Sequence, residues 1–399
     1  MHRKLLPFLL ACLLLITAGC GSNNSDPANH QDQTNNTPSQ PEEPEAPTQP
    51  EEPIVPDEPE PDPRQEAIDT LLSSMTLEEK VGQMFFVRCP ETGGAELAAQ
   101  YKVGGYLLFG RDFKDKTAQQ VRDDIQSYQD ASGIPLLIGT DEEGGTVVRA
   151  SSNPDLFPQR EPAPQTLFAQ GGMDLILQDA RQKSMTLLDL GVNVNFAPVA
   201  DVSTDPADFI YARSFGQDAQ ATANYVAQVV GVMGEEQIGS VLKHFPGYGN
   251  NVDTHTGIAL DQRPYETFQT SDFLPFQAGI QAGADASWSA TISPPAWTRA
   301  SPPPSPPRST KLLREELGFD GVVLTDDLAM DAVMEYAQNG SAAVLAIQAG
   351  NDMVVTTDFQ TQIPQVIHAV QSGVIAESQI DQAVTRVLNW KYELGLLGN

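Results

Sequence analysis

One short run in the middle of the chain concentrates side chains that can hold and transfer protons. Residues 241–257 read VLKHFPGYGNNVDTHTG and contain Lys243, His244, Asp253 and His255, which include two of the five histidines of the chain. Asp253 and His255 are two residues apart, so the carboxylate can orient one ring nitrogen while the other faces a substrate. Taken alone the triplet is a weak signal, because polar loops rich in Asn, Thr and Gly have the same composition.

A second run, GFDGVVLTDDL, ends an apolar segment in two adjacent carboxylates, Asp326 and Asp327. We expect Asp327 to cap the helix that follows. A carboxylate such as Asp326 can attack the electrophilic carbon of a sugar, but cleaving a glycosidic bond also needs a proton donor to the leaving oxygen. An imidazole oriented by an Asp can supply that proton, so the two runs together suggest glycoside chemistry.

The elements that position these residues are six short apolar runs, each followed by Gly or a polar cluster and then by a helical pattern. They are VGGYLLFG, IPLLIGTDEEGG, GVNVNFAPVADV, IGSVLKHFPG, FDGVVLTDDL and AGNDMVV. Strands of this kind, alternating with helices over about 330 residues, favour a (β/α)8 TIM-type barrel over an open doubly wound sheet. In such barrels the chemistry lies at the carboxyl ends of the strands. Charged residues end several of the runs: Asp141, Asp201, Lys243, His244, Asp326 and Asp327.

The first part of the chain reads as targeting sequence and linker. Residues 1–20 combine a basic start with an apolar run too short to span a membrane, and they end in ITAGC, which resembles a bacterial lipoprotein signal with Cys20 as the acylated residue. Plain secretion is the alternative. Residues 21–64 are rich in Pro and Glu and predict an extended tether. Residues 65–399 are predicted to form one catalytic domain. Near its start, MTLEEKVGQMFFV predicts a capping box of Thr76 and Glu79 that leads into an apolar-periodic helix.

Composition limits the partners and cofactors of this domain. The formal net charge of −30 argues against nucleic-acid binding, although much of the acid lies in the predicted tether. Cys89 is the only cysteine beyond residue 20, so no internal disulfide is expected, and we expect its side chain to be a small buried apolar group. Neither a metal site nor an organic cofactor is expected, because neither ligand spacing nor a phosphate loop appears.

Several motifs together resemble the family 3 glycoside hydrolases, specifically the bacterial β-N-acetylhexosaminidases. They are TDEEGG, NVNFAPVADV, ARSFGQD, KHFPGYG followed by DTH, and GFDGVVLTDDLAM, in the family's order from about residue 75 onward. The resemblance implies a (β/α)8 barrel and a retaining double displacement through a covalent glycosyl-enzyme. It also implies action on N-acetylglucosamine glycosides such as peptidoglycan fragments. The lipoprotein-like signal predicts that this enzyme lies outside the cytoplasm, lipid-anchored to the bacterial cell membrane, and we expect it to be a monomer.

The resemblance also assigns roles to individual residues. It implies that Asp326 is the nucleophile and that His255 is the acid/base, with Asp253 as its partner. The implied substrate-binding residues are Asp141, Arg149, Arg213, Lys243 and His244.

The chain departs from the family pattern at three places. Thr146 stands where relatives often have Arg, and Tyr248 replaces a His. Residues 286–310 contain the run SPPPSPP where relatives have a barrel strand and a loop, and proline-rich sequence of this kind forms neither a buried strand nor a helix interior. We interpret the segment as two compensating frameshifts, because one coding of residues 287–291 read two bases later gives Met-Val-Gly-His. A divergent surface loop is the alternative.

Three other functions stay open at the level of sequence. A histidine acid/base repels an incoming anion less than a carboxylate does, so phosphorolysis on the same fold is an alternative. A β-glucosidase is a second alternative, although such enzymes typically lack the Asp-x-His loop. A lipid-anchored barrel that binds sugar without turnover is the third, and the combination of Asp326, Asp253 and His255 argues against it.

Overall fold

Eight short parallel strands form a single sheet in the computed structural model, which describes residues 62–251, 261–289, 308–328 and 341–398. The strands are β1 Phe85–Arg88, β2 Gly105–Leu108, β3 Leu137–Thr140, β4 Val194–Asn195, β5 Gly239–Phe245, β6 Ala286–Ser289, β7 Val322–Thr325 and β8 Val354–Thr356. They are ordered β7-β6-β5-β4-β3-β2-β1-β8. Each strand therefore lies beside its neighbour in sequence, as repeated βα units require.

The two ends of this sheet meet and close it into a barrel. A parallel bridge joins Leu324 of β7 to Met353, just before β8. The amide of Thr325 donates to the carbonyl of Met353 at 3.1 Å, and the amide of Leu328 donates to the carbonyl of Val355 at 2.9 Å. The predicted (β/α)8 TIM-type fold is thus confirmed.

Helices cover the outside of the barrel. They are α1 Pro63–Ser74, α2 Leu77–Gln83, α3 Gly94–Tyr101, α4 Gly110–Phe113, α5 Ala118–Ala131, α6 Pro164–Asp189, α7 Ala219–Glu235, α8 Tyr265–Thr267, α9 Phe273–Gln281, α10 Arg308–Lys311, α11 Ala342–Gln348, α12 Phe359–Gln371 and α13 Glu377–Glu393, with π-helical turns at Phe268–Asp272 and Leu312–Glu316. Among the described residues, no helix combines the length and the apolar character needed to cross a membrane.

The start of the folded region follows from local capping. Helix α1 begins at Pro63 with Asp62 as its cap, slightly before the predicted boundary at residue 65, because proline suits the first turn of a helix. Thr76 and Glu79 form the predicted capping box at α2. That helix ends at Gln83, and the FFVR run that follows it is a strand, β1, which the sequence pattern did not separate from the helix.

Alternate residues of the strands fill the inside of the barrel. Phe86 and Phe196 pack edge to face with ring centroids 5.2 Å apart. Gly139 on β3 makes room for this pair, since a Cβ there would lie 2.5 Å from Phe196 and 2.8 Å from Phe86. The inner cluster consists of Phe86, Leu107, Leu137, Val194, Phe196, Val241, Ala286, Trp288, Val322, Leu324, Met353 and Val355, with Val387 and Trp390 from α13.

Strand β6 forms in spite of the sequence that follows it. Residues Ala286–Ser289 pair in parallel with both β5 and β7, so the strand is present before the prolines begin. The proline run itself lies outside the described residues. Two polar side-chain atoms on β6, Ser287 Oγ and Trp288 Nε1, are buried without a hydrogen-bond partner. Such unpaired atoms are expected when polar residues lie on a strand that is buried on both faces.

Candidate active site

A cavity of about 330 Å³ opens at the carboxyl ends of the strands. A volume of this size is typical of small-molecule sites. Its walls are formed by Arg88, Leu107, Phe109, Asp141, Val147, Arg149, Arg213, Lys243, His244, Trp288, Asp326 and Asp327. Six residues singled out from the sequence, Asp141, Arg149, Arg213, Lys243, His244 and Asp326, therefore come together in one place.

The three acidic residues that follow β3 have different partners. The carboxylate of Asp141 accepts a hydrogen bond from Lys243 Nζ at 2.7 Å inside the cavity. Glu142 accepts hydrogen bonds from the backbone amides of Arg149, Ala150 and Ser151 and thereby shapes the turn after the strand. Glu143 lies behind the cavity wall. Of these three residues only Asp141 was predicted as a site residue, although three consecutive acids after a buried strand were a visible signal.

Glu143 joins two cations of the cavity. Its carboxylate lies 2.6 Å from Lys243 Nζ and accepts two hydrogen bonds from Arg213, at 3.0 Å and 2.8 Å. Burial opposes ionisation of this carboxyl, but the charges of Lys243 and Arg213 outweigh burial and hold its pKa well below the ordinary value. The negative charge of Glu143 in turn raises the pKa of Arg213 despite burial. Both cations are therefore held in position by one carboxylate.

His244 is oriented by Asp201, which is fully buried behind it. One carboxylate oxygen of Asp201 lies 2.7 Å from His244 Nδ1 and also accepts from the His244 amide. The other oxygen accepts from the Tyr248 amide at 2.7 Å. The second ring nitrogen, Nε2, lies 3.0 Å from Arg213 Nη2. Because a guanidinium can only donate, Nε2 is the acceptor and the proton sits on Nδ1.

Asp326 lies at the end of β7 and faces the cavity. Its amide donates to the carbonyl of Ser289 on β6, and its Oδ1 accepts from the amide of Asp327 at 2.8 Å. These bonds fix the carboxylate at the strand end, which is the position that a nucleophile in a barrel requires. Asp327 also lines the cavity. The helix that it was predicted to cap lies outside the described residues.

Arginine and aromatic side chains form another wall of the cavity. The guanidinium of Arg88 lies over the ring of Phe109 at 4.1 Å, and that of Arg149 lies near the same ring at 5.4 Å. Trp288 lies near Lys243, with Nζ 5.6 Å from the ring centroid. Neither Arg88 nor Phe109 was predicted from the sequence to line the site. The signal for Arg88 was a cation directly after the apolar FFV run.

Other predicted residues lie outside the described residues, namely Asp253, His255 and Cys20. The described residues on either side of 252–260 contact each other. Asn251 Nδ2 donates to Asp261 Oδ2 at 2.6 Å. Arg263 donates to Asp261, to Asp272 and to the carbonyl of Gly247. The described residues that flank 252–260 on its two sides therefore lie close together beyond the end of β5.

The geometry suits a polyhydroxylated ligand. Asp141, Lys243, His244 and Arg213 form one connected array of donors and acceptors on the side of β3 to β5, while Asp326 enters from β7. Charged hydrogen-bonding groups of this kind orient hydroxyls strongly. Because Asp141 and Glu143 are already paired with Lys243, the array favours sugar hydroxyls as ligands over a divalent cation.

Cys89 is 1% exposed and burial raises its pKa to about 12, so its thiol is inert, as expected.

Comparison with known proteins agrees with this picture. The model of the glycosyl hydrolase family 3 N-terminal domain matches residues 76–390. The chain is 35% identical over 320 residues to a β-hexosaminidase of Stenotrophomonas maltophilia strain R551-3, covering 76% of this chain and 89% of the relative.

Solved structures give the same result. A family 3 β-N-acetylglucosaminidase from Paenibacillus sp. FPU-7 superposes with a TM-score of 0.72 at 29% identity, covering 82% of this chain and 64% of that one. A β-N-acetylhexosaminidase from Beutenbergia cavernae superposes with a TM-score of 0.68 at 28% identity, covering 80% of this chain and 99% of that one. The chain therefore belongs to glycosyl hydrolase family 3 and is a glycoside hydrolase.

Proposed function

We propose that the protein is a retaining exo-β-N-acetylglucosaminidase that removes terminal β-linked N-acetylglucosamine, with peptidoglycan fragments as its source of substrate. The main support for this proposal is that Asp326 lines the same cavity as Asp141, Lys243, His244 and Arg213. The choice of sugar is supported by the names of the relatives, which are β-hexosaminidases and β-N-acetylglucosaminidases.

In the proposed mechanism Asp326 attacks the anomeric carbon as the bond to the leaving oxygen breaks. His255, oriented by Asp253, gives its proton to that oxygen, and the aglycone departs. A water molecule then loses a proton to His255 and attacks the same carbon, which breaks the bond to Asp326 and releases the sugar with its configuration retained. Asp141, Lys243, His244 and Arg213 hold the ring hydroxyls during both steps.

The test is release of the aryl alcohol from an aryl β-N-acetylglucosaminide and from the matching β-glucoside. We expect turnover of the first substrate only, and its loss by at least about 1,000-fold in Asp326→Asn, because the covalent intermediate no longer forms. His255→Ala is expected to slow substrates with poor leaving groups far more than activated aryl glycosides. Equal losses on both would argue against His255 as the acid.

Product analysis separates the remaining alternatives. Glycosyl phosphate instead of free sugar in phosphate buffer would assign phosphorolysis. Turnover of the β-glucoside would overturn the substrate proposal. Binding of N-acetylglucosamine by folded protein that turns over neither substrate would assign a sugar-binding role.

We also propose that the enzyme acts outside the cytoplasm, held to the bacterial cell membrane by acylation of Cys20 and by the Pro- and Glu-rich linker. The support is the ITAGC sequence and the composition of residues 21–64. Radiolabelled palmitate that is incorporated into the protein, and lost in Cys20→Ser, is the expected result. Labelling that persists in Cys20→Ser would contradict this site.

A further inference from the structure

A second cavity, much smaller than the active-site cavity that Asp326 lines, lies between the ends of β3 and β4 and the helices α6 and α7. Its volume is about 30 Å³, which leaves room for a water molecule but not for a sugar. We call it the rear chamber. The ionisable residues that line it are Glu142, Glu143, Asp179, Lys183 and Tyr225. Because Glu142 and Glu143 directly follow β3, the rear chamber adjoins residues that shape the active-site cavity.

Three ionisable side chains meet beside the rear chamber. Lys183 Nζ lies 3.1 Å from Asp179 Oδ2 and 3.6 Å from Glu161 Oε2, and each of the three side chains is at most 15% exposed. The Glu161 oxygen that faces the lysine is buried and has no hydrogen-bond partner in the described part of the chain. One lysine thus faces two carboxyl groups, and Asp179 is the closer of the two.

This composition favours a proton on one of the carboxyl groups. Burial opposes the charge of Lys183, but Asp179, Glu161 and Glu142 outweigh burial and raise its pKa, so the lysine is charged. Burial raises the pKa of Glu161 to about 8, with Lys183 lowering it and the charges of Asp179 and Glu142 raising it. An unpaired buried oxygen also costs less on a neutral carboxyl group than on an ionised one. Glu161 therefore carries the proton at neutral pH.

The backbone of Glu161 is tied to the active-site cavity. Its carbonyl accepts from the amide of Gly145 at 2.8 Å, and its amide donates to Ser151 Oγ at 3.0 Å. Ser151 Oγ in turn donates to Glu142, whose other carboxylate oxygen accepts from the amide of Arg149. The turn that carries Arg149, which lines the active-site cavity, is therefore held against the backbone of Glu161.

This contact is too close to absorb a displacement. A Cβ on Gly144 would lie 2.2 Å from the carbonyl oxygen of Pro162, and a Cβ on Gly145 would lie 2.8 Å from the Cβ of Ala163. Packing at this density transmits movement from one segment to the other. A shift of residues 161–163 would therefore move the turn of residues 144–151.

We propose that Glu161, Asp179 and Lys183 are positioning residues for the active-site cavity, and that the competent state of the protein holds one proton on the Glu161–Asp179 pair. When this proton leaves to the solvent, three carboxylates surround one lysine, because Glu142 is also negative. Their repulsion displaces the backbone of Glu161, and the turn that carries Arg149 moves with it. The cluster thus sets an upper pH limit on turnover. The inference rests on the proposed function for the reaction that is affected, but not for the displacement of the turn.

The kinetic test is the pH dependence of kcat/KM on a dinitrophenyl β-N-acetylglucosaminide. Its leaving group needs no proton, so loss of the proton of His255 causes no alkaline fall of its own. We expect the unaltered protein to lose kcat/KM above a pH of about 8, by up to about tenfold per pH unit. In Glu161→Gln, which stays neutral, the fall is expected to disappear or to begin at least about one pH unit higher. Glu161→Asp restores a titratable carboxyl group and is expected to restore the fall.

Glu235→Gln serves as the matched control. Glu235 is an exposed carboxylate that pairs with Arg181 on the outer side of α6, so this variant neutralises one acid near the same helix without touching the rear chamber. The control is expected to keep the pH profile of the unaltered protein. A fall at the same pH in Glu161→Gln as in the unaltered protein would overturn the proposal.

Hydrogen exchange separates the inference from catalysis. Mass spectrometry of a peptide that covers residues 142–151 reports the turn even if no substrate is turned over. The unaltered protein and Glu161→Gln are compared at the same pH, so that the intrinsic exchange rate is the same in both. We expect equal exchange at about pH 6.5, and exchange about 10-fold faster in the unaltered protein at about pH 9. Equal exchange at both pH values would overturn the positioning cluster. The expected difference in a protein that turns over no substrate would support the cluster and count against the proposed function.

Discussion

Glu143 illustrates how a residue that does not touch the cavity can set its geometry. It is fully buried, and its two oxygens hold Lys243 and Arg213, which do line the cavity and which would otherwise repel each other. Removing its charge leaves Lys243 with Asp141 alone and leaves Arg213 with the neutral ring of His244. The positions of both cations therefore depend on one carboxylate behind them, so Glu143 is a positioning residue.

Glu143→Gln is expected to lower kcat/KM on the aryl β-N-acetylglucosaminide by about 100-fold, the scale of loss when groups that orient a substrate shift by about 1 Å. Asp352→Asn is the control for stability, because Asp352 is also a buried carboxylate between two cations, Arg314 and Arg386, but lies at the opposite end of the barrel. We expect the control to lose stability and to keep kcat/KM within about 3-fold when corrected for folded protein. Equal losses of kcat/KM in both variants would show that Glu143 acts through stability alone.

The residues of the cavity were predictable where a motif or a strand end marked them. Asp141, Arg149, Arg213, Lys243, His244 and Asp326 fall in such motifs, and the structure brings them together. Glu143 and Asp201 were not selected as positioning residues because their roles depend on partners far away in the sequence, at Lys243, Arg213 and His244. Arg88 was missed because the FFV run before it was interpreted as part of a helix, so its position at a strand end was not recognised.

At the scale of elements, a cluster around Arg263 joins the end of β5 to the start of the next helical segment. Arg263 donates to Asp261 at 2.7 Å, to Asp272 at 2.6 Å and to the Gly247 carbonyl at 2.8 Å, and it packs over Phe268. Both carboxylates are buried. The cluster thus links the described residues that come before 252–260 in the sequence to those that follow it.

Arg263→Ala is expected to reduce the free energy of unfolding by about 3 to 5 kcal/mol, because it leaves two buried carboxylates without their cation. Urea denaturation followed by circular dichroism measures the loss. Arg122→Ala, which breaks an exposed ion pair with Asp189, is expected to cost less than about 1 kcal/mol. A loss of similar size in both variants would contradict the view that burial gives the Arg263 cluster its importance.

The elements themselves were largely predictable. Six apolar runs identified in the sequence contain β2, β3, β4, β5, β7 and β8, because strands buried on both faces leave a clear pattern. β1 was hidden because its apolar residues directly follow α2, and only the short turn at Met84 separates helix from strand. β6 was obscured by its polar residues, Ser287 and Ser289, and its pairing became clear only from its two neighbours.

At the scale of the whole molecule, the far end of the barrel contains a buried lysine. Lys391 of α13 is fully buried and donates to Gln83 Oε1 at 2.6 Å, with no ion pair among the described residues. Burial lowers its pKa from 10.5 to about 7. At pH values between these two pKa values, the unfolded chain binds a proton at Lys391 that the folded protein does not bind. Lys391 therefore makes the free energy of unfolding rise with pH from about 7 to about 10, and its contribution levels off below pH 7.

The variant Lys391→Met removes this dependence. We expect its free energy of unfolding, relative to the unaltered protein, to be highest at pH 7 and to fall by at most about 4 kcal/mol by pH 10, three pH units at about 1.4 kcal/mol each. Urea denaturation at pH 7, 8, 9 and 10 measures the difference. Lys311→Met, at an exposed lysine paired with Glu315, is the control and is expected to give a flat difference. A flat difference for Lys391→Met as well would mean that this lysine is charged in the folded protein.

The first and last helices of the barrel lie side by side, which bears on how the enzyme can be attached to a solid support. Arg64 in α1 pairs with Glu393 and hydrogen-bonds Asn389 in α13, and its guanidinium lies over Tyr392. Trp390, in the same turn of α13, packs into the barrel from the end opposite the cavity. A resin or electrode coupled near Arg64 or Glu393 would therefore leave the mouth of the cavity facing the solution. Such coupling suits an immobilised catalyst that must admit large, branched glycans.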